Sequence, residues 1–149
     1  MSSRPRVIIE DWLPAAAIGV ECQRENSSGL HPPPNRLHVW WARRPLVASR
    51  AAIMGSLLPA DFPKDSFERL LGFGVSGDDL VWIRKQMDLG KRVPGGFNCS
   101  RAFMNPIPSD DLLQFQHEID IMWGANIRVI DPMSGGGSIP LESARLSIH

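Results

Sequence analysis

The chain has 149 residues, and its 16 Lys and Arg residues balance 16 Asp and Glu residues to give a formal net charge of +0. A hydrophobic fraction of 43% and a charged fraction of 21% are typical of a folded globular protein of about one domain. These values exclude a disordered or fibrous chain, and the balanced charge excludes a bulk positive field that would attract nucleic acid. A contact with DNA would need a local basic patch or further sequence.

The cysteine and histidine residues give no pattern of a metal or nucleophile site. Cys22 and Cys99 are too few for a disulfide framework, and neither belongs to a Cys-x-x-Cys pair that would suggest zinc. Cys22 with His31 or His38 lacks a third orienting group, so a buried inert thiol is the simpler interpretation. His117 has no second ligand at helical spacing. No metal site is predicted.

Signals for targeting or membrane insertion are not visible. Acidic residues and Pro14 interrupt the N-terminal segment before any long apolar run, which excludes a signal peptide there. No stretch approaches membrane-spanning length. We expect no membrane partner and, from the two cysteines without a disulfide framework, a reducing, cytoplasmic location.

Most of the chain carries helical signals. Prolines suited to a first helical turn, acidic residues at helix starts such as Asp78-Asp79 and Asp110-Asp111, and glycines at helix ends mark the boundaries. Residues 91–106 resemble a loop. Helices are predicted at 14–26, 45–57, 66–71, 78–89 and 109–123.

A different pattern begins after Gly124. Ile127-Arg128-Val129-Ile130 is a short β-branched run that suits a buried parallel strand, and a helix is predicted to start near Ile139. We expect an α/β fragment: a mainly helical N-terminal region at 1–126, then the first strand, loop and helix of a Rossmann-like domain at 127–149.

Three consecutive glycines, Gly135 to Gly137, lie between the predicted strand and helix. Such a loop turns tightly and lets the backbone approach a ligand closely. The positive end of the next helix favours a ligand that is anionic or zwitterionic. No Lys-Ser or Lys-Thr follows, as a phosphate loop requires, and Pro140 stands where a dinucleotide motif has its last glycine. Packing alone also explains many glycine-rich turns.

The loop resembles the first motif of amino-methyltransferases, Asp-Pro-Phe-x-Gly-x-Gly, with Met133 in place of Phe. The resemblance implies that the loop backbone binds the methionine part of S-adenosylmethionine, with Asp131 near its ammonium group. A thioether keeps the apolar contact of a ring. The predicted cofactor-binding residues of the loop are Asp131, Pro132, Met133, Ser134, Gly135, Gly136 and Gly137.

A second segment, His38-Val39-Trp40-Trp41-Ala42-Arg43-Arg44-Pro45-Leu46, resembles a signature of putative adenine-specific DNA methylases, whose full-length members also carry a zinc ribbon. The Arg44-Pro45-Leu46 helix start is similar to the Lys-Pro-Leu motif that borders the cofactor site in many amino-methyltransferases. The resemblance therefore assigns His38, Arg44 and Pro45 to the wall of the cofactor site.

The same segment combines aromatic faces with cationic side chains. Trp40 and Trp41 beside Arg43 and Arg50 suit contacts with a flipped base or with phosphates. The alternative is that one tryptophan lies in the core and the arginines neutralise surface acids. These four residues are the candidate nucleic-acid contacts.

One expected motif is absent from the sequence. Amino-methyltransferases accept hydrogen bonds from the target amine with an Asp/Asn-Pro-Pro-Tyr/Phe loop, and no such tetrapeptide occurs. No catalytic residue is assigned, and we expect a fragment, inactive alone, of an S-adenosylmethionine-dependent DNA methyltransferase acting on an exocyclic amine, with adenine N6 favoured. The alternatives are a fragment of an RNA amino-methyltransferase and a non-catalytic binding or assembly module.

Overall fold

The computed structural model describes residues 5–27 and 44–148. Short 3-10 helices occur at Ile8–Glu10 and Ala102–Met104, and no described helix is long and apolar enough to cross a membrane. The five helices predicted before residue 127 and the one predicted near Ile139 are confirmed, with ends that shift by at most about two residues, as is usual for helix boundaries. The α-helices of the described residues are α1 (Ala15–Asn26), α2 (Leu46–Leu57), α3 (Lys64–Leu71), α4 (Gly77–Asp88), α5 (Ser109–Trp123) and α6 (Ser138–Arg145).

Helix α2 is the centre of the packing. It contacts α1, α3 and α6, while α4 packs on α1 and α5 packs on α3. Met54 of α2 and Phe67 of α3 are fully buried in one hydrophobic cluster that also contains Leu146 and Ile148. Hydrophobic packing is therefore continuous across the predicted boundary between residues 126 and 127.

Buried glutamates join the helices by accepting hydrogen bonds from backbone amides. Glu25 at the end of α1 accepts from Leu46 N at 3.0 and 2.8 Å, and so caps α2, whose N-cap residue is a proline without a capping side chain. Glu68 of α3 accepts from Gly77 N at 2.9 Å at the start of α4. Each carboxylate satisfies amides that a helix N-terminus leaves unpaired, and its charge suits the positive end of the helix dipole.

The strand expected at 127–130 is not shown. The described residues contain no strand, and their only β-type pairing is an isolated bridge between Val7 and Pro59. Ile127 and Val129 nevertheless pack against the core while Arg128 and Ile130 are exposed, which is the alternation of a strand. A strand requires a hydrogen-bonded neighbour, and no other described segment supplies one here.

Candidate functional site

The glycine loop makes two successive turns between the 127–130 segment and α6. Gly137 donates its backbone N–H to the carbonyl oxygen of Ser134 at 2.8 Å, which closes the second turn. Gly135 and Gly137 have φ angles of +52° and +72°, in the left-handed region that glycine adopts without a steric cost. Two of the three glycines are therefore required by the conformation of the backbone.

The first turn is held by the aspartate of the motif. Asp131 Oδ1 accepts a hydrogen bond from Met133 N at 3.1 Å, the two-residue span of an Asx turn. The turn leaves Met133 largely exposed at the rim of the loop. Asp131 thus orders the loop and also faces the adjoining cavity.

The N-terminus of α6 opens toward the same cavity. Gly137 is its N-cap residue, and no described side chain caps the helix there. The Ser138 side chain is used elsewhere, because its hydroxyl donates to the carbonyl oxygen of Arg44 at 2.7 Å. This bond ties the start of α6 to the residues that lead into α2, and so brings Arg44 beside the glycine loop.

A cavity of about 370 Å³ lies between Arg44 and the loop. This volume is within the range of small-molecule binding sites. Arg44 supplies a guanidinium and Asp131 a carboxylate, so the lining offers one group of each sign. The lining residues are Arg44, Asp131, Met133, Ser134, Gly135, Gly136, Ser138 and Ile139.

A buried ion pair between α2 and α6 stabilises this arrangement. Arg50 of α2 donates from Nε to Glu142 Oε2 of α6 at 2.5 Å and from Nη1 to the Leu70 carbonyl at 3.1 Å. Burial lowers the pKa of Arg50 from its ordinary value, and the charge of Glu142 opposes that change. The pair fixes α2 against α6 one or two helical turns beyond Arg44 and Ser138.

The position of Arg50 corrects one prediction. Its side chain has no exposed surface, and two of its nitrogens are hydrogen-bonded within the core. A side chain in this position does not reach DNA. The sequence suggested an exposed side chain because arginine is usually solvated. In the structure, Arg50 is buried and is neutralised by Glu142, which lies 92 residues away in the chain.

The other predicted site residues fall into three groups. The structure brings together Arg44 and five residues of the loop; Pro132, Gly137 and Pro45 lie next to lining residues without lining the cavity themselves. Sequence reasoning missed Ser138 and Ile139, although their place directly after the glycines could have indicated them. His38, Trp40, Trp41 and Arg43 lie outside the described residues.

Comparison with known proteins gives one match. Residues 12–70 match the family described as "Protein of unknown function (DUF1156)". The matched residues make up less than half of the chain, and the family description carries no activity. No curated protein and no solved structure matches the chain.

The DUF1156 segment, residues 12–70, contains one side of the candidate site. Arg44 and Arg50 belong to it, whereas Ser138 and Glu142 lie outside it. The hydrogen bond of Ser138 to Arg44 and the ion pair of Glu142 with Arg50 therefore connect the DUF1156 segment to the glycine loop and α6. Among the described residues, no group of three His, Cys, Asp or Glu side chains is placed to hold a metal ion.

Proposed function

We propose that the protein is part of an S-adenosylmethionine-dependent methyltransferase that acts on an exocyclic amine of DNA, with adenine N6 as the favoured target, in the cytoplasm. The observation that carries the proposal is the cavity in which Arg44 and Asp131 lie beside the glycine loop. The sequence resemblance names the cofactor, and the cavity offers groups that fit it.

The fit rests on charge and space. The methionine part of the cofactor carries an ammonium and a carboxylate, and Asp131 and Arg44 present the complementary charges in one cavity. The N-terminus of α6, which no described side chain caps, adds a positive partial charge suited to the carboxylate. The glycines keep side chains out of the space where the ligand backbone would pass. Asp131, Arg44 and the first turn of α6 would therefore hold the amino-acid end of the cofactor.

The residues present suit binding of the cofactor but not contact with the target amine. When bound, S-adenosylmethionine supplies an activated methyl group on a sulfonium. The loop would hold the methionine part of the cofactor and so orient this group, but the chain has no Asp/Asn-Pro-Pro-Tyr/Phe sequence to accept hydrogen bonds from a target amine. We propose cofactor binding for this chain and assign no catalytic residue in it.

The fold proposal concerns the segment before the loop. Ile127 and Val129 face the core and the neighbouring residues face solvent, so the segment has the pattern of a strand without a partner. We propose that it is the first strand of a Rossmann-like sheet whose neighbours come from elsewhere in the protein. Its carboxyl end then leads into the glycine loop, where ligands bind in open α/β sheets.

Calorimetric titration of the protein with S-adenosylmethionine tests the proposal. Arg44→Gln and Asp131→Asn each remove one charged partner, so each should weaken binding by at least about tenfold. Arg6→Gln and Asp11→Asn are matched controls, because these residues form an exposed pair at 3.6 Å elsewhere on the surface. Absence of binding to the unmodified protein, or equal losses in the controls, would overturn the proposal.

A further inference from the structure

One segment outside the candidate site is rich in basic residues, although the chain as a whole is neutral. Residues 84–101 contain five basic residues and a single acidic residue, Asp88. From residue 89 through residue 109 the sequence has no acidic residue at all. This segment spans the second half of α4 and the loop that follows it. Its basic residues are Arg84, Lys85, Lys91, Arg92 and Arg101.

Several of these residues are exposed and lie close in the sequence to an exposed tryptophan. Trp82 is 55% exposed, and Lys85 lies three residues later, on the same face of α4. Lys91 and Arg92 follow the end of the helix and are exposed as well. We call Trp82, Lys85, Lys91 and Arg92 the basic surface.

The three cations of the basic surface are not neutralised by the part of the chain that the structure describes. Arg84, next to them, pairs with Asp88 at 2.8 Å. Lys85, Lys91 and Arg92 form no ion pair with any residue of the described ranges. Their positive charge is therefore available to a partner.

Stabilisation of the helix dipole and core packing explain only part of the basic surface. A cation in the last turn of α4 stabilises the helix dipole, which explains Lys85. Lys91 and Arg92 lie beyond that turn, where the effect of the dipole has decayed. Tryptophan is usually largely buried, so the exposure of Trp82 is not explained by core packing either.

We propose that the basic surface binds the phosphate backbone of duplex DNA, with Trp82 packing against the sugar and base edges. The choice of DNA rests on the proposed function, in which DNA is the substrate. Spaced cations beside an aromatic ring are the usual elements of nucleic-acid contacts. The exposed apolar side chains of Met87 and Leu89 also suit a membrane surface, which is therefore a competitor in the experiment.

Fluorescence anisotropy with a labelled DNA duplex tests this proposal over a series of salt concentrations. Lys91→Gln/Arg92→Gln should reduce the slope of log affinity against log salt by about 2 and weaken binding at least about tenfold. Trp82→Leu should weaken binding with the slope unchanged, since it removes no charge. The control Arg6→Gln/Lys64→Gln removes the same charge from exposed positions elsewhere and should leave binding and slope as they were.

Two results would overturn the proposal: an unchanged salt slope in Lys91→Gln/Arg92→Gln, or an equal loss in the control. Tighter binding to vesicles of anionic lipid or to an acidic polypeptide than to the duplex would also overturn it. Calorimetry with S-adenosylmethionine on the same variants separates this proposal from the proposed function. Intact cofactor binding with no effect on DNA refutes the basic surface alone, whereas loss of the cofactor signal in the unmodified protein refutes the proposed function.

Discussion

Arg50 of α2 and Glu142 of α6 form an ion pair in which both side chains are completely buried, with Nε and Oε2 2.5 Å apart. Arg145 donates a further bond to Glu142 Oε1 at 3.0 Å, so both carboxylate oxygens are engaged. Arg50 Nη2 has no hydrogen-bond partner among the described atoms. The pair fixes the DUF1156 segment to the helix that follows the glycine loop, at the cost of burying two charges.

Removing one partner of this pair should destabilise the protein strongly. Glu142→Leu leaves the Arg50 guanidinium buried without its carboxylate, and a loss of roughly 3–5 kcal/mol in the free energy of unfolding is expected. Arg50→Met/Glu142→Leu removes both charges and should recover much of that loss. Urea denaturation followed by circular dichroism measures both variants.

The control for this experiment is an exposed pair. Arg84→Gln breaks the pair with Asp88, in which the two side chains are 40% and 57% exposed, and should change stability by less than about 1 kcal/mol. If the double variant is no more stable than Glu142→Leu, the ion pair contributes through packing rather than through charge, and this prediction is wrong.

Glu25 should act as the N-terminal cap of α2. Glu25→Ala removes the acceptor of the Leu46 amide, which then stays buried and unpaired, and should lower the free energy of unfolding by about 2 kcal/mol. Glu25→Gln keeps an acceptor oxygen and should cost less. Gln23→Ala, at an exposed position of the same helix, should stay within about 0.5 kcal/mol of the unmodified protein in the same urea titration. Equal effects of Glu25→Ala and Gln23→Ala would contradict the capping role.

The helices could be predicted from the sequence because their signals are local. Proline precedes α1, α2, α3 and α5, and glycine follows the last turn of α3 and α5. Apolar spacing places Phe115 and Ile119 on the buried face of α5, as the structure has them. The loop residues of the candidate site were predictable for the same reason, since a strand-like run, glycines and a helix start are adjacent in the chain.

The contacts between helices could not be predicted. Nothing near Glu142 in the sequence indicates a buried carboxylate, because its partner is Arg50 and the two meet only through the packing of α2 on α6. The burial of Glu25 likewise depends on α2 starting beside the end of α1. Arg50 was assigned to a nucleic-acid surface from its neighbours in the chain, whereas its environment is set by residues far away in the sequence.

The thiol of Cys22 should make stability depend on alkaline pH. Burial, with help from the negative charge of Glu25, raises the pKa of Cys22 from 9.0 to about 11. The unfolded thiol ionises first, so the stabilising contribution is complete below about pH 9 and is lost as the pH rises to about 11. Stability of the unmodified protein should therefore fall relative to Cys22→Ala across that interval.

Urea denaturation at several pH values measures this difference. Below pH 9 the difference in the free energy of unfolding between the unmodified protein and Cys22→Ala depends only on the packing of the sulfur and should be constant. If this difference in the free energy of unfolding stays constant up to pH 11 as well, Cys22 ionises equally in the folded and unfolded states, and the prediction is wrong.

Gly135 has a φ of +52°, which a β-branched residue adopts only under strain. Gly135→Val should cost of order 1–3 kcal/mol or shift the loop, and affinity for S-adenosylmethionine should fall at least about tenfold. Gly135→Asn tolerates the left-handed conformation better, so it should bind more tightly than the valine variant if backbone strain is the cause. Gly19→Ala is the matched control: it adds a methyl group in open space on α1 and should stabilise the protein by about 0.5–1 kcal/mol without affecting the cofactor. Unchanged calorimetric affinity in Gly135→Val, together with an unchanged circular dichroism spectrum, would mean that the loop does not contact the cofactor.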